Sequence, residues 1–293
     1  MTATLRELLA RPRILVMPGA YDALTARLVE NAGFDALYLS GAGVSYTHLA
    51  RPDIGLVTLD EMLRRAESIC ETVRIPVLAD GDTGYGNAIN VGRTVRAFER
   101  AGLSGIQLED QSFPKRCGHL DGKEVVPAEE MAGKIRAAVD ARASDDFIVV
   151  ARTDAIATDG FDEALRRLRL YAECGADVLF ADGIATQEHL AALPGALGRP
   201  TLANMVEGGK TPLRTAAELE RMGYRVVIFP NSLVRLFARQ GAALLAALHE
   251  SGTTNGARAD MLTFDELNAL IGTKAILEAG RRYAEEAPGN ARD

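Results

Sequence analysis

Residues 76–111, PVLADGDTGYGNAINVGRTVRAFERAGLSGIQLEDQ, hold a short apolar run, a polar glycine-rich turn, a helix-like stretch near 88–101 and a second apolar run ending in acids. This is one strand–helix–strand unit, and the same pattern continues in both directions along the chain. Short β-rich runs ending in Gly, Asp, Ser or Pro occur at Arg13–Met17, Ala36–Ser40, Pro76–Ala79, Gly105–Glu109, Phe147–Arg152, Asp177–Ala181, Pro200–Met205 and Arg225–Pro230. Helix-like stretches follow near 21–32, 58–73, 88–101, 127–143, 161–174, 186–193, 212–222 and 233–249. Alternating strand and helix forces parallel pairing with the helices outside, and eight repeats close such a sheet into a (β/α)₈ TIM barrel. A doubly wound open sheet is the alternative architecture. Thr58 ahead of an acidic first turn predicts a helix start, and Pro127 predicts another, placed at the first helical position.

The 293 residues, 47% of them hydrophobic, suffice for one large core, and the simplest organisation is a single barrel domain over 1–293. A helical extension over 263–293 contains amphipathic segments at Phe264–Ile271 and Lys274–Glu286, expected on the barrel exterior or on a neighbouring subunit. A net charge of −7 with scattered basic residues gives no footprint for nucleic acid or an anionic membrane. No stretch reaches about 18 uninterrupted apolar residues and the N-terminus lacks a leader-like apolar run, so the expected location is cytoplasmic and the expected partner a small soluble molecule. Cys70, Cys117 and Cys174 are widely spaced without a CxxC pair, which indicates neither a disulfide framework nor a zinc knuckle.

In a barrel of this kind the reacting groups sit at the C-terminal ends of the strands. The third run ends in Asp80-Gly81-Asp82 and the fourth in Glu109-Asp110, placing several carboxylates at one mouth. Like charges so gathered need a cation, and hard oxygen ligands suit Mg²⁺ or Mn²⁺, with Asp80, Asp82 and Glu109 as the candidate ligands. Arg152 at the fifth strand end either pairs with those acids or clamps a substrate carboxylate. Ser40, Gly41 and Ala42 after the second run either bind a carboxylate or carbonyl oxygen or form a tight turn. Asp182, Asn204, Glu207 and Ser232 complete the strand-end list, with Asn204 and Ser232 as donors to a second carboxylate.

From Gln111 to Val126 the chain lacks apolar periodicity, and a βα loop of that length reads as a lid. Within it Lys115, Arg116 and His119 surround Cys117 with cationic side chains, which favours thiolate and equips the thiol as an acid or base. Cys70 and Cys174, in helical patterns, read as small buried hydrophobes. His48 either lines the mouth or is solvated.

With these residues in view, the chain resembles the isocitrate lyase and phosphoenolpyruvate mutase superfamily, in particular its methylisocitrate lyase and dimethylmalate lyase branch. The likeness is carried by Tyr38-Leu39-Ser40-Gly41, Pro52-Asp53, Asp80-Gly81-Asp82-Thr83-Gly84-Tyr85-Gly86, Gln107-Leu108-Glu109-Asp110-Gln111, Lys115-Arg116-Cys117-Gly118-His119, Ala151-Arg152-Thr153-Asp154-Ala155 and Asn204-Met205-Val206-Glu207. It implies a Mg²⁺-dependent carbon–carbon lyase that cleaves a small 2-hydroxy di- or tricarboxylate, of the 2-methylisocitrate or 2,3-dimethylmalate type, to a 2-oxo acid and a carboxylic acid. By the same resemblance Asp80, Asp82 and Glu109 hold the ion partly through water, and Ser40, Gly41 and Ala42 face the carboxylate of the 2-oxo half. Arg152 orients the substrate oxygens, Tyr38 stands near the reacting centre, Asp53 supports the site and Cys117 protonates the leaving carbanion. Lys115 and His119 are counted as catalytic candidates and Gly118 with the binding residues. The resemblance also implies terminal helices exchanged between subunits, in a homotetramer. Asp182 stands where this branch usually has glutamate, one methylene longer, and Tyr46–Arg51 is more polar than in methylisocitrate lyases. The alternatives are oxaloacetate decarboxylation or hydrolysis, a phosphonomutase reaction on the same site, and, remotely, a non-catalytic binding protein.

Overall fold

The computed structural model describes residues 3–117 and 122–285. Eight parallel strands, β1 (Leu15–Ala20), β2 (Leu37–Leu39), β3 (Val77–Asp80), β4 (Gly105–Glu109), β5 (Ile148–Thr153), β6 (Val178–Ala181), β7 (Leu202–Asn204) and β8 (Val226–Phe229), pair in the order β6-β5-β4-β3-β2-β1-β8-β7. The ring closes at β6 and β7 through the single bridge Leu179–Thr201, where the Leu179 N–H donates to the Pro200 carbonyl at 2.9 Å. The sheet is therefore a nearly closed barrel, not an open doubly wound one.

Each strand is buried on both faces, which is why the runs read as continuously apolar. The inner faces contribute Met17, Tyr38, Leu78, Val150, Phe180 and Ile228 to one packed cluster, joined by Leu5 and Leu8 from a short helix at Leu5–Ala10. The outer faces, including Ile106, Leu108, Val149 and Ala151, pack against helix residues such as Met131, Ile135, Leu168 and Tyr171. Burying each such large side chain stabilises the fold by about 1.5–3 kcal/mol, so the outer shell fixes the helices to the barrel.

The expected elements are all present, with shifted ends. β1 begins two residues late and runs through Pro18 and Gly19 to Ala20, three residues past Met17, where the apolar run of the sequence ends. Glycine is required there because a Cβ at position 19 would meet the Pro230 carbonyl oxygen at 2.1 Å. Thr58 caps the helix Leu59–Thr72 in a reciprocal box with Glu61. Pro127 occupies the N-cap of Ala128–Ala141, one position before the first helical residue expected for it.

The chain divides into two compact units, Met1–Arg235 and Leu236–Asp293. The second contains most of the helix Ser232–Ser251, together with helices Phe264–Leu270 and Thr273–Glu285. Its apolar side chains Phe237, Leu245, Phe264, Ile276 and Tyr283 are exposed. Cys70 is only partly buried, and burial pushes its thiol up to about 11. Cys174 is also partly buried, at the C-cap of Phe161–Glu173, where its sulfur accepts from Arg136 at 3.1 Å. Both pack against the hydrophobic core as expected, though partly rather than fully buried. No helix among the described residues is long and apolar enough to cross a membrane.

Candidate active site

The turn after β3 is built around its own acids. Asp80 Oδ1 accepts from the Asp82 N–H at 3.1 Å, which draws Asp82 into the left-handed region at φ 46°, a costly conformation for a residue with a Cβ. Across the mouth, Gly41 passes so close that a Cβ there would lie 2.8 Å from Asp80 Oδ2. The small residue in the Ser40-Gly41-Ala42 turn thus makes room for a site carboxylate.

Both β4 and β5 deliver charge to the same place. Glu109 is 1% exposed, and burial drives its carboxyl well above the usual carboxylate range. Burial likewise raises Asp80 and Asp82. Arg152 Nε and Nη2 donate to the two oxygens of Asp154 at 2.8 and 3.0 Å. Its Nη2 also lies 2.8 Å from Asp182 Oδ2 and its Nη1 lies 3.2 Å from Glu109 Oε2. Only the two contacts to Asp154 are aligned hydrogen bonds; those to Asp182 Oδ2 and Glu109 Oε2 are ion pairs at contact distance, so both N–H groups of Nη1 and one of Nη2 make no aligned hydrogen bond to these acids. Arg152 is thus paired with the acids of the mouth, one of the two roles expected of it, and keeps N–H groups that the acids do not take. Asp182 reaches Arg152 despite its shorter side chain, and its Oδ1 accepts from Asn204 Nδ2 at 3.3 Å.

Lys115, from the long loop, is 3% exposed and forms ion pairs with Asp53 Oδ1 and, at 2.7 Å, with Asp82 Oδ1. Burial opposes its charge, but Asp82, Asp53, Glu109 and Asp80 together raise its pKa well above the usual lysine value. Asp53, in turn, is raised by burial even with Lys115 beside it. Cys117 follows on the same leg; its backbone N–H donates to the Asp53 carbonyl at 3.1 Å, and it lines the cavity with Tyr38, Asp80, Arg152 and Asp182. Lys115 is thus committed to carboxylates, which alters the cationic surround expected for Cys117. Gly118 and His119 lie outside the described residues.

The far leg of the loop carries Lys123, 6% exposed, whose Nζ donates to Asp154 Oδ1 at 2.7 Å. Burial opposes the Asp154 anion, yet Arg152 and Lys123 hold its carboxyl below the usual range. Behind it Asp110 accepts from Thr153 Oγ1 at 2.7 Å, the Asp154 N–H at 2.9 Å, Tyr171 Oη at 2.9 Å and Arg167 Nη1 at 3.2 Å. Asp110 therefore ties the ends of β4 and β5 together. Asp110 is one of the strand-end acids expected at the mouth, whereas Asp154 stands out in the sequence only within a motif and Lys123 not at all; a lysine in a polar loop carries no signal of burial.

The remaining candidates separate into two groups. Tyr38, Ala42 and Asn204 line the cavity with Ser40, whose Oγ accepts from the Gly43 N–H at 3.0 Å and donates to Asn231 Oδ1 at 3.2 Å. Ser40 is thus a cap as well as a wall residue, and Asn231, the neighbour of Ser232 after β8, is a site residue to which nothing is assigned from the sequence. Glu207 and Ser232 are not brought to the cavity: Ser232 Oγ donates to Glu207 Oε1 at 2.5 Å, and Arg235 adds a contact at 3.2 Å, because rim side chains satisfy one another. His48 faces Arg65 at 3.0 Å and Glu61 at 3.5 Å on the following helix, not the mouth.

Six buried carboxylates, Asp53, Asp80, Asp82, Glu109, Asp154 and Asp182, thus face three buried cations, Lys115, Lys123 and Arg152, among the described residues. That surplus is balanced by protons or by a bound cation. Neither Glu109 oxygen receives a well-aligned hydrogen bond, and the donor set of hard oxygens suits a divalent ion. Among the described residues no three acidic, histidine or cysteine side chains converge on one point, so such an ion takes part of its shell from water or substrate. The cavity itself is about 40 Å³. A larger groove of about 750 Å³ near Val57, Tyr85 and Phe113 contains none of these carboxylates.

The family model described as phosphoenolpyruvate phosphomutase matches residues 5–249. A 2,3-dimethylmalate lyase of Eubacterium barkeri is 48% identical over 282 residues, covering 96% of this chain and 98% of that protein. A 2-methylisocitrate lyase of Aeropyrum pernix is 45% identical over 268 residues, covering 92% and 86%. The solved structure of oxaloacetate acetylhydrolase with the inhibitor 3,3-difluorooxalacetate overlays with a TM-score of 0.92 at 37% identity, over 98% of both chains.

Proposed function

Because the chain belongs to the phosphoenolpyruvate phosphomutase family, within the phosphoenolpyruvate mutase/isocitrate lyase superfamily, we propose that its site is that of a carbon–carbon lyase. The substrate is a small 2-hydroxy acid with more than one carboxylate, of the 2,3-dimethylmalate or 2-methylisocitrate type, cleaved to a 2-oxo acid and a carboxylic acid. The observation that carries this reading is the cluster of buried carboxylates around Arg152 with Cys117 on the cavity wall.

Cleavage beside a 2-hydroxyl needs three things: loss of the hydroxyl proton, a donor for the new carbonyl oxygen, and a proton for the carbon left behind. Burial holds Tyr38 well above the usual phenol range, so it stays neutral and donates from Oη to an oxygen of the reacting centre. The Nη1–H groups of Arg152 serve the same charge. The hydroxyl proton is lost to solvent, the Cys117 thiol gives its own proton to the leaving carbon, and the thiolate so formed is reprotonated from solvent, so protons and charge balance over the cycle. Asp80, Asp82 and Glu109 would hold Mg²⁺ or Mn²⁺, partly through water. When bound, the ion supplies Lewis-acid polarisation of the substrate oxygens. Exchange of the C-terminal helices between subunits of a tetramer belongs to the same reading, supported by the exposed apolar side chains Phe237, Leu245, Phe264 and Ile276.

The direct test is a coupled assay for 2-oxo acid release from 2,3-dimethylmalate, 2-methylisocitrate, citramalate and isocitrate, with and without Mg²⁺. Metal-dependent release from one of them is expected; silence on all four sinks the reading. The overlay with oxaloacetate acetylhydrolase favours hydrolysis of oxaloacetate as the second reading, tested by acetate and oxalate release.

Burial also sets a pH dependence. Asp80, Asp82 and Glu109 hold protons above the ordinary carboxylate range when folded. The native state then binds more protons than the unfolded chain, so metal-free stability falls as pH rises from about 4 towards neutrality. A divalent ion competes with those protons. The Mg²⁺-induced rise in Tm is expected to grow as pH rises above the ordinary carboxylate range, reaching about 2.7 kcal/mol of stabilisation at a hundredfold excess over Kd. A shift independent of pH would show that these carboxylates do not bind the ion.

A further inference from the structure

β4 sends into the barrel an amide that has no hydrogen-bond partner among the described residues. Gln107 is 1% exposed, and neither its Nε2 nor its Oε1 has a hydrogen-bond partner among the described residues. It lies in register with Asp80 of β3 and Val150 of β5. Strand alternation places it on the same face as Glu109, one step deeper towards the apolar layer of Met17, Leu78 and Val150. It also lines the cavity, beside Arg152, Phe180 and Asn204. A buried carboxamide without partners is destabilising, and methionine, of the same length and apolar, would fill the position without that cost. The amide therefore serves whatever enters the cavity.

We propose that Gln107 is a specificity-determining substrate contact that reads a carboxylate and a hydroxyl together. Nε2–H donates to a carboxylate oxygen of the ligand, and Oε1 accepts from its hydroxyl. A 2-hydroxy acid offers both partners. A carboxylic acid without the hydroxyl leaves Oε1 unanswered, and so does the 2-oxo acid product, so the residue favours substrate over product. This assignment rests on the 2-hydroxy carboxylate reading above.

The test uses binding, so that it does not depend on turnover. Malate and succinate, which differ by one hydroxyl, are titrated calorimetrically into the wild type, Gln107→Met and Gln107→Glu with Mg²⁺ in excess. The wild type is expected to prefer malate by about 10- to 100-fold. Gln107→Met is expected to bring that ratio close to one while its Tm without ligand equals or exceeds that of the wild type. Gln107→Glu keeps the shape but loses the donor, and is expected to weaken both ligands about 10-fold or more. A wild-type ratio near one, an unchanged ratio in Gln107→Met, or a lower Tm in that variant overturns the assignment. Turnover in the wild type with an unchanged ratio in Gln107→Met removes the role of Gln107 alone. A hydroxyl preference lost in Gln107→Met, with no turnover of any candidate, removes the lyase reading alone.

Discussion

Replacing Cys117 by serine is expected to lower kcat by about 10²- to 10⁴-fold while leaving Tm unchanged, the range general acid catalysis contributes. The side chain lines the cavity, whereas the loop is held there by other groups: the Cys117 N–H bonded to the Asp53 carbonyl and Lys115 bonded to Asp53 and Asp82. Serine preserves that geometry. It lacks a proton it can yield near neutral pH, since a free thiol titrates near about 8.5 and an alkoxide is far less accessible. Single-turnover release of the 2-oxo acid is the measurement, with solvent deuterium appearing at the α carbon of the carboxylic acid product. A serine variant as fast as the wild type would take the proton donor away from Cys117.

The second large effect is thermodynamic. Arg152→Met strips Asp154, Asp182 and Glu109 of their common partner in a setting where all three are at most 1% exposed. Removing one member of a buried ion pair costs about 3–5 kcal/mol because the other charge is left unpaired. At about 2–4 °C per kcal/mol, the expected fall in Tm is roughly 10 °C. Lysine does not rescue it, since an ammonium cannot reproduce the paired contacts to Asp154. Arg152→Met combined with Asp154→Asn should recover part of the loss. Thermal unfolding of the single and double variants decides this, and wild-type stability in Arg152→Met would contradict the pairing described.

The barrel was legible because its strands are short, apolar and spaced by helices that cannot be anywhere but outside. The strand-end acids were legible for the same reason: a charged residue closing an apolar run has one place to go. What the sequence could not convey was how those charges are shared. Arg152 faces three acids and Lys115 two, contacts set by loops and crossovers that bring together positions as distant as 53 and 115. Glu207 and Ser232 looked equivalent to Asn204 at strand ends, yet one turn further along the chain they satisfy each other at the rim. Ser40 and Asp182 fell between these cases. The serine is a helix cap and a cavity wall at once, and the aspartate compensates its missing methylene through the reach of arginine.

Lys115 gives the closed mouth its own counter-ion. With its ammonium between Asp53 and Asp82, the protein neutralises part of its acid cluster from within and leaves only about 40 Å³ of space, well below the few hundred that hold a small ligand. Any dication that binds Asp82 would therefore share it with, or displace, a tethered ammonium rather than bulk salt.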